Sequence, residues 1–233
     1  ADREAIALVL MKVSQLLIDL PEIVELDINP LFADEKGVTA VDAHIRLSAA
    51  PVDPHRFAIQ PYPKALEQPA RLRNGRPVLF RPIRPEDEAA HYVFLSHMSE
   101  QDLVYRFFHY VKQIPRRDMA RLTQVDYDRE MAFIASAEGE NGEAETLGVV
   151  RIVAAPDNAT AEFAIIIRSD MKGQGLGSGL LRKIIEYSRE RGIRTFSGDV
   201  MYDNQPMLDL LKGFGFTFGR SEEAGIVRCT LAL

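Results

Sequence analysis

Residues 161–192 read AEFAIIIRSDMKGQGLGSGLLRKIIEYSRERG, an apolar strand-like stretch, then glycines at 173, 175, 177 and 179, then a helical repeat. No other segment limits the fold as much, because a strand must end and a helix must begin across a backbone almost free of side chains. The helix carries its apolar stripe at Leu176, Leu180, Leu181, Ile184 and Ile185. A helix start exposes backbone N–H groups and the positive end of the dipole, which together bind phosphate, and glycines let a phosphate come close. The same residues also suit a flexible turn that merely packs tightly. Two familiar nucleotide loops do not fit. A Walker loop needs Gly-Lys five positions after its first glycine, where this chain has Ser178 or Leu180, and the third glycine of a dinucleotide fingerprint falls on the same two residues.

The rest of the chain reads as two regions. Apolar residues at 6, 9, 10, 13, 16, 17 and 20 predict an opening helix that Pro21 stops. IVELDINPLFADEKGVTAVDAHIRL then alternates around Lys36 and Gly37 and predicts a hairpin with Glu25, Asp27 and Asn29 on one face. Such a unit buries little, so residues 1–50 read as the edge of something larger. Prolines at 51, 54, 61, 63 and 69 predict a linker over 51–76, ending at the Asn74-Gly75 turn signal between ARLR and RPVLFRPIRP. From 77 to 233 the pattern predicts one domain. It has a strand (PVLFRPI), helical segments EDEAAHYVFLSHM and EQDLVYRFFHYV, and strands EMAFIASAE, TLGVVRIVAA and TAEFAIIIR. After the glycine loop and its helix come a strand (TFSGDVMY), a short helix opened by Asn204 and Pro206, and two closing strands.

Charge and composition exclude several classes. The net charge of −6 gathers in residues 1–56, and no run of Lys and Arg interleaves with aromatics, so nucleic acid is not an expected partner. The longest apolar candidate, AIALVLMKVSQLLIDL, is broken by Lys12, Ser14 and Gln15, so no membrane partner is expected, and it lacks the flanks of a signal peptide. With a single cysteine, the expected location is the cytoplasm. The histidines at 44, 55, 91, 97 and 109 form no ligand spacing, and no metal is expected in the larger domain.

KGQGLG, residues 172–177, resembles the [QR]-x-x-G-x-[GA] loop of the GNAT superfamily of N-acetyltransferases, with Lys172 in place of the usual Arg or Gln. The resemblance implies an α/β (α+β) fold, a mixed and mostly antiparallel sheet whose central strand pair splays, with flanking helices. It implies acetyl-CoA as co-substrate, with the pyrophosphate at Lys172, Gly173, Gln174, Gly175, Leu176, Gly177 and Ser178, and the pantetheine and thioester along the backbone of Ile165 and Ile167. Asn204 is a further coenzyme A contact in the family, or only a helix cap. LDINPL followed by VDA resembles the closing hairpin of the ATP-grasp part of ADP-forming acyl-CoA synthetases, where the matching Asn29 and Asp42 bind magnesium within a complete nucleotide site. AIQPYPKALE, RPIRPEDEA, YRFF and AEFAIIIRSDMKGQGLG are similar to bacterial Pat-type protein lysine acetyltransferases, which share this domain order. That resemblance implies a protein partner with a reactive lysine, an acyl-CoA synthetase.

An amine of pKa ~10.4 costs roughly 4.6 kcal/mol to present neutral at pH 7, so acetyl transfer to lysine needs a base. In Pat-like enzymes the Glu of the AEFA motif serves, which is Glu162 here; apolar Phe163 and Ile166 beside it would raise its pKa. It is otherwise a solvated strand glutamate. Cys229 shares a face with Val227 and Leu231 and reads as core, not as a nucleophile. The family's usual tyrosine acid is replaced by Leu211, leaving Ser178, Tyr202 or water. Arg106, Phe107 and Phe108 border the acceptor cleft by resemblance, with core packing the expected role of the two phenylalanines. A small-amine acetyltransferase and a silent acetyl-CoA sensor are the rival readings.

Overall fold

The protein is described by a computed structural model that covers residues 1–49, 57, 60–111, 114–139 and 142–233. It divides into two compact units, Ala1–Pro61 and Tyr62–Leu233.

In the first unit, α1 (Arg3–Asp19) is capped by Asp2, whose carboxylate accepts from the Ala5 N–H, and Pro21 follows its end. The predicted hairpin forms in two steps. Its outer arms β1 (Ile23–Ile28) and β4 (Ala43–Leu47) pair antiparallel, and β2 (Leu31–Ala33) and β3 (Val38–Ala40) pair at its tip. Ile23 is buried, but α1 buries none of its residues, and Leu10, Met11 and Phe32 are exposed. The unit thus has little core of its own, as its size implies. The Asn29 N–H donates to the Asp42 carbonyl at 3.2 Å, so the two residues do meet.

The second unit contains β5 (Gln68–Arg71), β6 (Pro77–Pro82), α2 (Glu88–Ser96), α3 (Glu100–Phe107), α4 (Arg116–Thr123), β7 (Glu130–Glu138), β8 (Ala144–Ala154) and β9 (Thr160–Ile167). It continues with α5 (Leu176–Glu190), β10 (Thr195–Met201), α6 (Gln205–Gly213), β11 (Thr217–Arg220) and β12 (Ile226–Ala232). One eight-stranded sheet orders them β11-β12-β10-β9-β8-β7-β6-β5, antiparallel except between β9 and β10. Residues 62–76, expected as the end of a linker, instead begin this unit and contribute β5. Pro69 is tolerated there because β5 is an edge strand with one ladder to satisfy. Residues 51–56, 58 and 59 of the expected linker lie outside the described residues. α4 was not foreseen; it holds few apolar residues, and only Met119 and Thr123 are buried.

Helices cover both faces. On one, all five residues of the predicted α5 stripe are buried against Phe133, Val150 and Ile165, each contributing about 1.5–3 kcal/mol. On the other, Ile83, Phe94, Ile134, Val149 and Ile166 form a smaller cluster with α2. Covered twice, the apolar run of β9 is what a central strand requires. Arg81 on β6 forms a buried bidentate pair with Asp87 just before α2, at 2.6 and 2.8 Å, which gives RPIRPEDEA a structural role.

The parallel pairing of β9 and β10 spans only Thr160–Glu162 against Thr195–Ser197. Beyond it the strands diverge, which is the splayed pair that the family resemblance implies. At the fork the Phe163 ring stacks on Phe196 at 4.7 Å and fills the space over Gly198, where a Cβ would lie 2.6 Å from the ring.

Candidate active site

The divergence of β9 and β10 opens a cleft of about 440 Å³. The Arg168 N–H donates to the Leu147 carbonyl on β8, at 3.0 Å. By the two-residue alternation of an antiparallel ladder, Ala164 and Ile166 then turn their backbone groups to β8, and Ile165 and Ile167 turn theirs toward the open side. The β10 ladder has already ended at Glu162, so this edge is left to a ligand.

The glycine loop forms the floor at one end. Gly173 and Gly175 take φ of +77° and +89°, which glycine alone adopts without strain. Gly175 is the N-cap of α5 and offers no side chain; the first helical hydrogen bond runs from the Gly179 N–H to the Gly175 carbonyl, at 3.0 Å. The N–H groups of Leu176, Gly177 and Ser178 therefore have no helical acceptor. The other two glycines serve packing. A Cβ on Gly179 would lie 2.7 Å from the Phe80 ring, and one on Gly177 would lie 3.3 Å from Leu210 of α6.

Lys172 does not stand free at the loop. Its ammonium pairs with Asp102 of α3, which also accepts from the Ser99 and Ser169 hydroxyls at 2.8 and 2.6 Å. Burial pushes the Asp102 carboxyl up, but the hydrogen bonds from Lys172, Ser169 and Ser99 outweigh it and hold the group below its ordinary value. Gln174 does not line the cleft, and its Oε1 is buried without a hydrogen-bond partner. Every other candidate lines it: Glu162, Ile165, Ile167, Lys172, Gly173, Gly175, Leu176, Gly177, Ser178 and Asn204. Asn204 caps α6, its side chain accepting from the Met207 N–H at 3.3 Å, so it serves as a cap and faces the cleft as well.

Glu162 is not shielded by Phe163 and Ile166 as its neighbours in sequence suggest. Phe163 points to the opposite face, and the Glu162 side chain is 69% exposed with Oε1 2.8 Å from Arg228 Nη2. Arg228 also reaches Asp199 and the Ser197 hydroxyl, both at 2.9 Å, which clamps it across β10. Oε2 of Glu162 is left for a proton. Cys229 is fully buried, and burial, with Asp199 adding, pushes its thiol up to about 11, so it stays protonated at neutral pH. Leu211 is buried, Ser178 lines the cleft, and Tyr202 does not.

Phe107 and Phe108 are not core residues. α3 ends at Phe107, and its C-cap Phe108 takes a positive φ of 62° and lines the cleft at 39% exposed; Phe107 is half-buried beneath the Arg106 guanidinium. Arg106 lines the cleft too, and burial together with Arg151 pushes it down to about 10. Sequence reasoning did not find Arg73, Asp102, Asp199 or Arg228 as part of this site. Their roles depend on strand register and on contacts across 29 to 100 residues, for which the chain carries no local signal. Among the described residues, no helix is long and apolar enough to cross a membrane, and no cluster of three or more His, Cys, Asp or Glu is placed to hold a metal.

Comparison with known proteins gives two family matches: the Acetyltransferase (GNAT) family over residues 97–216 and the ATP-grasp domain over residues 1–47. Acetyltransferase PA5475 of Pseudomonas aeruginosa is 32% identical over 152 residues, which is 65% of this chain and 81% of that protein. The beta subunit of an ADP-forming acetate–CoA ligase I from Pyrococcus furiosus is 52% identical over 44 residues, 19% of each. Among solved structures, the GNAT domain of S. lividans PAT aligns with a TM-score of 0.67 at 30% identity, covering 74% of this chain and all of that one.

Proposed function

The chain belongs to the acetyltransferase (GNAT) family, and on that premise we propose that it transfers the acetyl group of acetyl-CoA to the side-chain amine of a lysine in a protein. The observation that carries the reading is the convergence in one cleft of an unpaired strand edge, an uncapped helix start and a carboxylate with one free oxygen. The N–H groups of Leu176, Gly177 and Ser178 take the pyrophosphate, and the backbone of Ile165 and Ile167 aligns the pantetheine. Glu162 Oε2 removes a proton from the acceptor ammonium while Arg228 holds the carboxylate in place. The neutral nitrogen attacks the thioester carbon, the backbone edge of β9 donates to the developing oxyanion, and the carbon–sulfur bond breaks as the second proton of the nitrogen passes through water to the departing thiolate, leaving the amide and the coenzyme A thiol. No enzyme nucleophile is needed, and the buried Cys229 thiol supplies none.

The acceptor in this reading is an acyl-CoA synthetase modified at its active-site lysine, and the protein acts in the cytoplasm. What supports this is the resemblance of AIQPYPKALE, RPIRPEDEA and YRFF to the Pat-type enzymes, together with the likeness to the PAT domain of S. lividans. No metal is proposed for the transfer step. Incubation of the protein with isotope-labelled acetyl-CoA, cell extract and a set of small amines tests the proposal. Label is expected on lysines of protein. Label in small amines alone supports the small-amine reading, and label in neither supports an acetyl-CoA sensor.

A further inference from the structure

Four cationic side chains line the cleft, Arg73, Arg106, Lys172 and Arg228, together with the carboxylates of Asp102, Glu162 and Asp199. Every one of these carboxylates is engaged: Lys172 pairs with Asp102, and Arg228 bridges Glu162 and Asp199. Arg73 and Arg106 have no carboxylate partner among the described residues. Arg73 is the one that meets the glycine loop.

We propose that Arg73 is the side-chain cation that grips the diphosphate of coenzyme A at the start of α5, an inference that rests on the acetyl-CoA reading above. Arg73 lies at the tip of the β5–β6 hairpin, where Asn74 and Gly75 turn the chain. Its backbone N–H donates to the Gln174 carbonyl at 3.1 Å, and its Nη1 donates to the Gly173 carbonyl at 3.0 Å. A Cβ on Gly175 would lie 3.9 Å from Arg73 Cγ and 4.0 Å from Nε, so the arginine stem lies over the N-cap itself. Nothing at that helix start is negative: α5 has no acid in its first turn and no side-chain cap.

Three physical points make Arg73 the better ligand than Lys172, although Lys172 holds the motif position. The ammonium of Lys172 is already neutralised by Asp102, whereas the guanidinium of Arg73 rests on the neutral carbonyl oxygen of Gly173 and keeps its whole charge for an anion. With Nη1 on Gly173, the other donors of the guanidinium remain for a bidentate grip on phosphate oxygens. The carbonyl contact also fixes the side chain before ligand arrives, so little rotamer freedom is lost on binding. The hairpin thus closes over the loop and supplies the donor that the motif's Arg or Gln would otherwise offer.

Calorimetry on the full chain tests this with coenzyme A and with dephospho-coenzyme A, which keeps the diphosphate and lacks the 3′-phosphate. Arg73→Gln is expected to weaken both ligands by a similar factor, about 10- to 100-fold, as for loss of a charged hydrogen-bonding group, with the unliganded melting temperature unchanged. Equal affinity of Arg73→Gln and parent overturns the proposal, and so does a loss confined to coenzyme A, which would put Arg73 on the 3′-phosphate. Should Arg73→Gln melt lower, Arg73→Lys decides. It keeps the charge and loses the fork, so it must bind both ligands several-fold more weakly at an unchanged melting temperature, and undiminished affinity overturns the proposal. A parent protein that binds neither ligand removes the acetyl-CoA reading along with this one, whereas parent binding with an indifferent Arg73→Gln removes this inference alone.

Discussion

His91 shows how a buried residue with no part in the chemistry still sets a condition for it. It lies beneath the sheet against Phe94, at 4% exposed, with Nδ1 lacking a hydrogen-bond partner. Burial pushes its pKa down to about 4; Arg151 and Arg106 reinforce the shift and Asp87 opposes it. The unfolded chain takes up a proton near pH 6.5 that the folded chain refuses until about pH 4. Stability is therefore unaffected by this residue above pH ~6.5 and falls as pH drops through that window, by roughly 3 kcal/mol in all. Urea unfolding at pH 7 and pH 5 should show the parent losing more stability than His91→Gln between the two. Equal losses would mean that His91 is not held neutral by burial. Glu162 and Lys172 make a related point. Sequence placed both correctly on strand and loop, yet not their partners, because Arg228 and Asp102 reach them only through the folded sheet.

Among the elements, α5 was the most legible, since a run of apolar residues at helical spacing after glycine has few other interpretations, and all five stripe residues are buried. The Asn74-Gly75 hairpin was equally readable, but not that its tip touches residues 100 positions later. α4 escaped notice because only Met119 and Thr123 of its eight residues are buried, too few for periodicity to register. The glycines of the loop look alike in sequence and differ in the fold: Gly173 and Gly175 serve the turn, while Gly179 makes room for Phe80. Gly179→Ala would set a Cβ 2.7 and 2.8 Å from two Phe80 ring carbons, and the overpacking should cost about 1–3 kcal/mol. Phe80→Leu in the same chain should recover part of that loss. If denaturant unfolding shows the two substitutions to be simply additive, the glycine is not there for the ring.

Taken whole, the larger unit is a sheet of two blocks, β5 to β9 and β10 to β12, joined through three residue pairs and open beyond them. The first block is an antiparallel meander, whereas in the second β12 inserts between β10 and β11; the cleft lies at the junction of the two. The first block supplies the backbone edge and Glu162, and the second supplies Arg228, which holds Glu162, with Asp199 and Ser197, which hold Arg228. The splay could be expected only from family likeness, because nothing in the composition of β9 or β10 states where a ladder ends; the wedge of Phe163 over Gly198 is a property of register. In the proposed reaction this junction presents a carboxylate that deprotonates a lysine acceptor. The rate of acetyl transfer to a protein acceptor against pH, for the parent and for Glu162→Gln with acetyl-CoA saturating, tests that role. A defect of roughly a hundredfold is expected at pH 7, shrinking as pH approaches the lysine's own pKa near ~10.4, because the amine then arrives already neutral. A mutant within about threefold of the parent at pH 7, or a defect that stays constant across the pH range, would contradict that role.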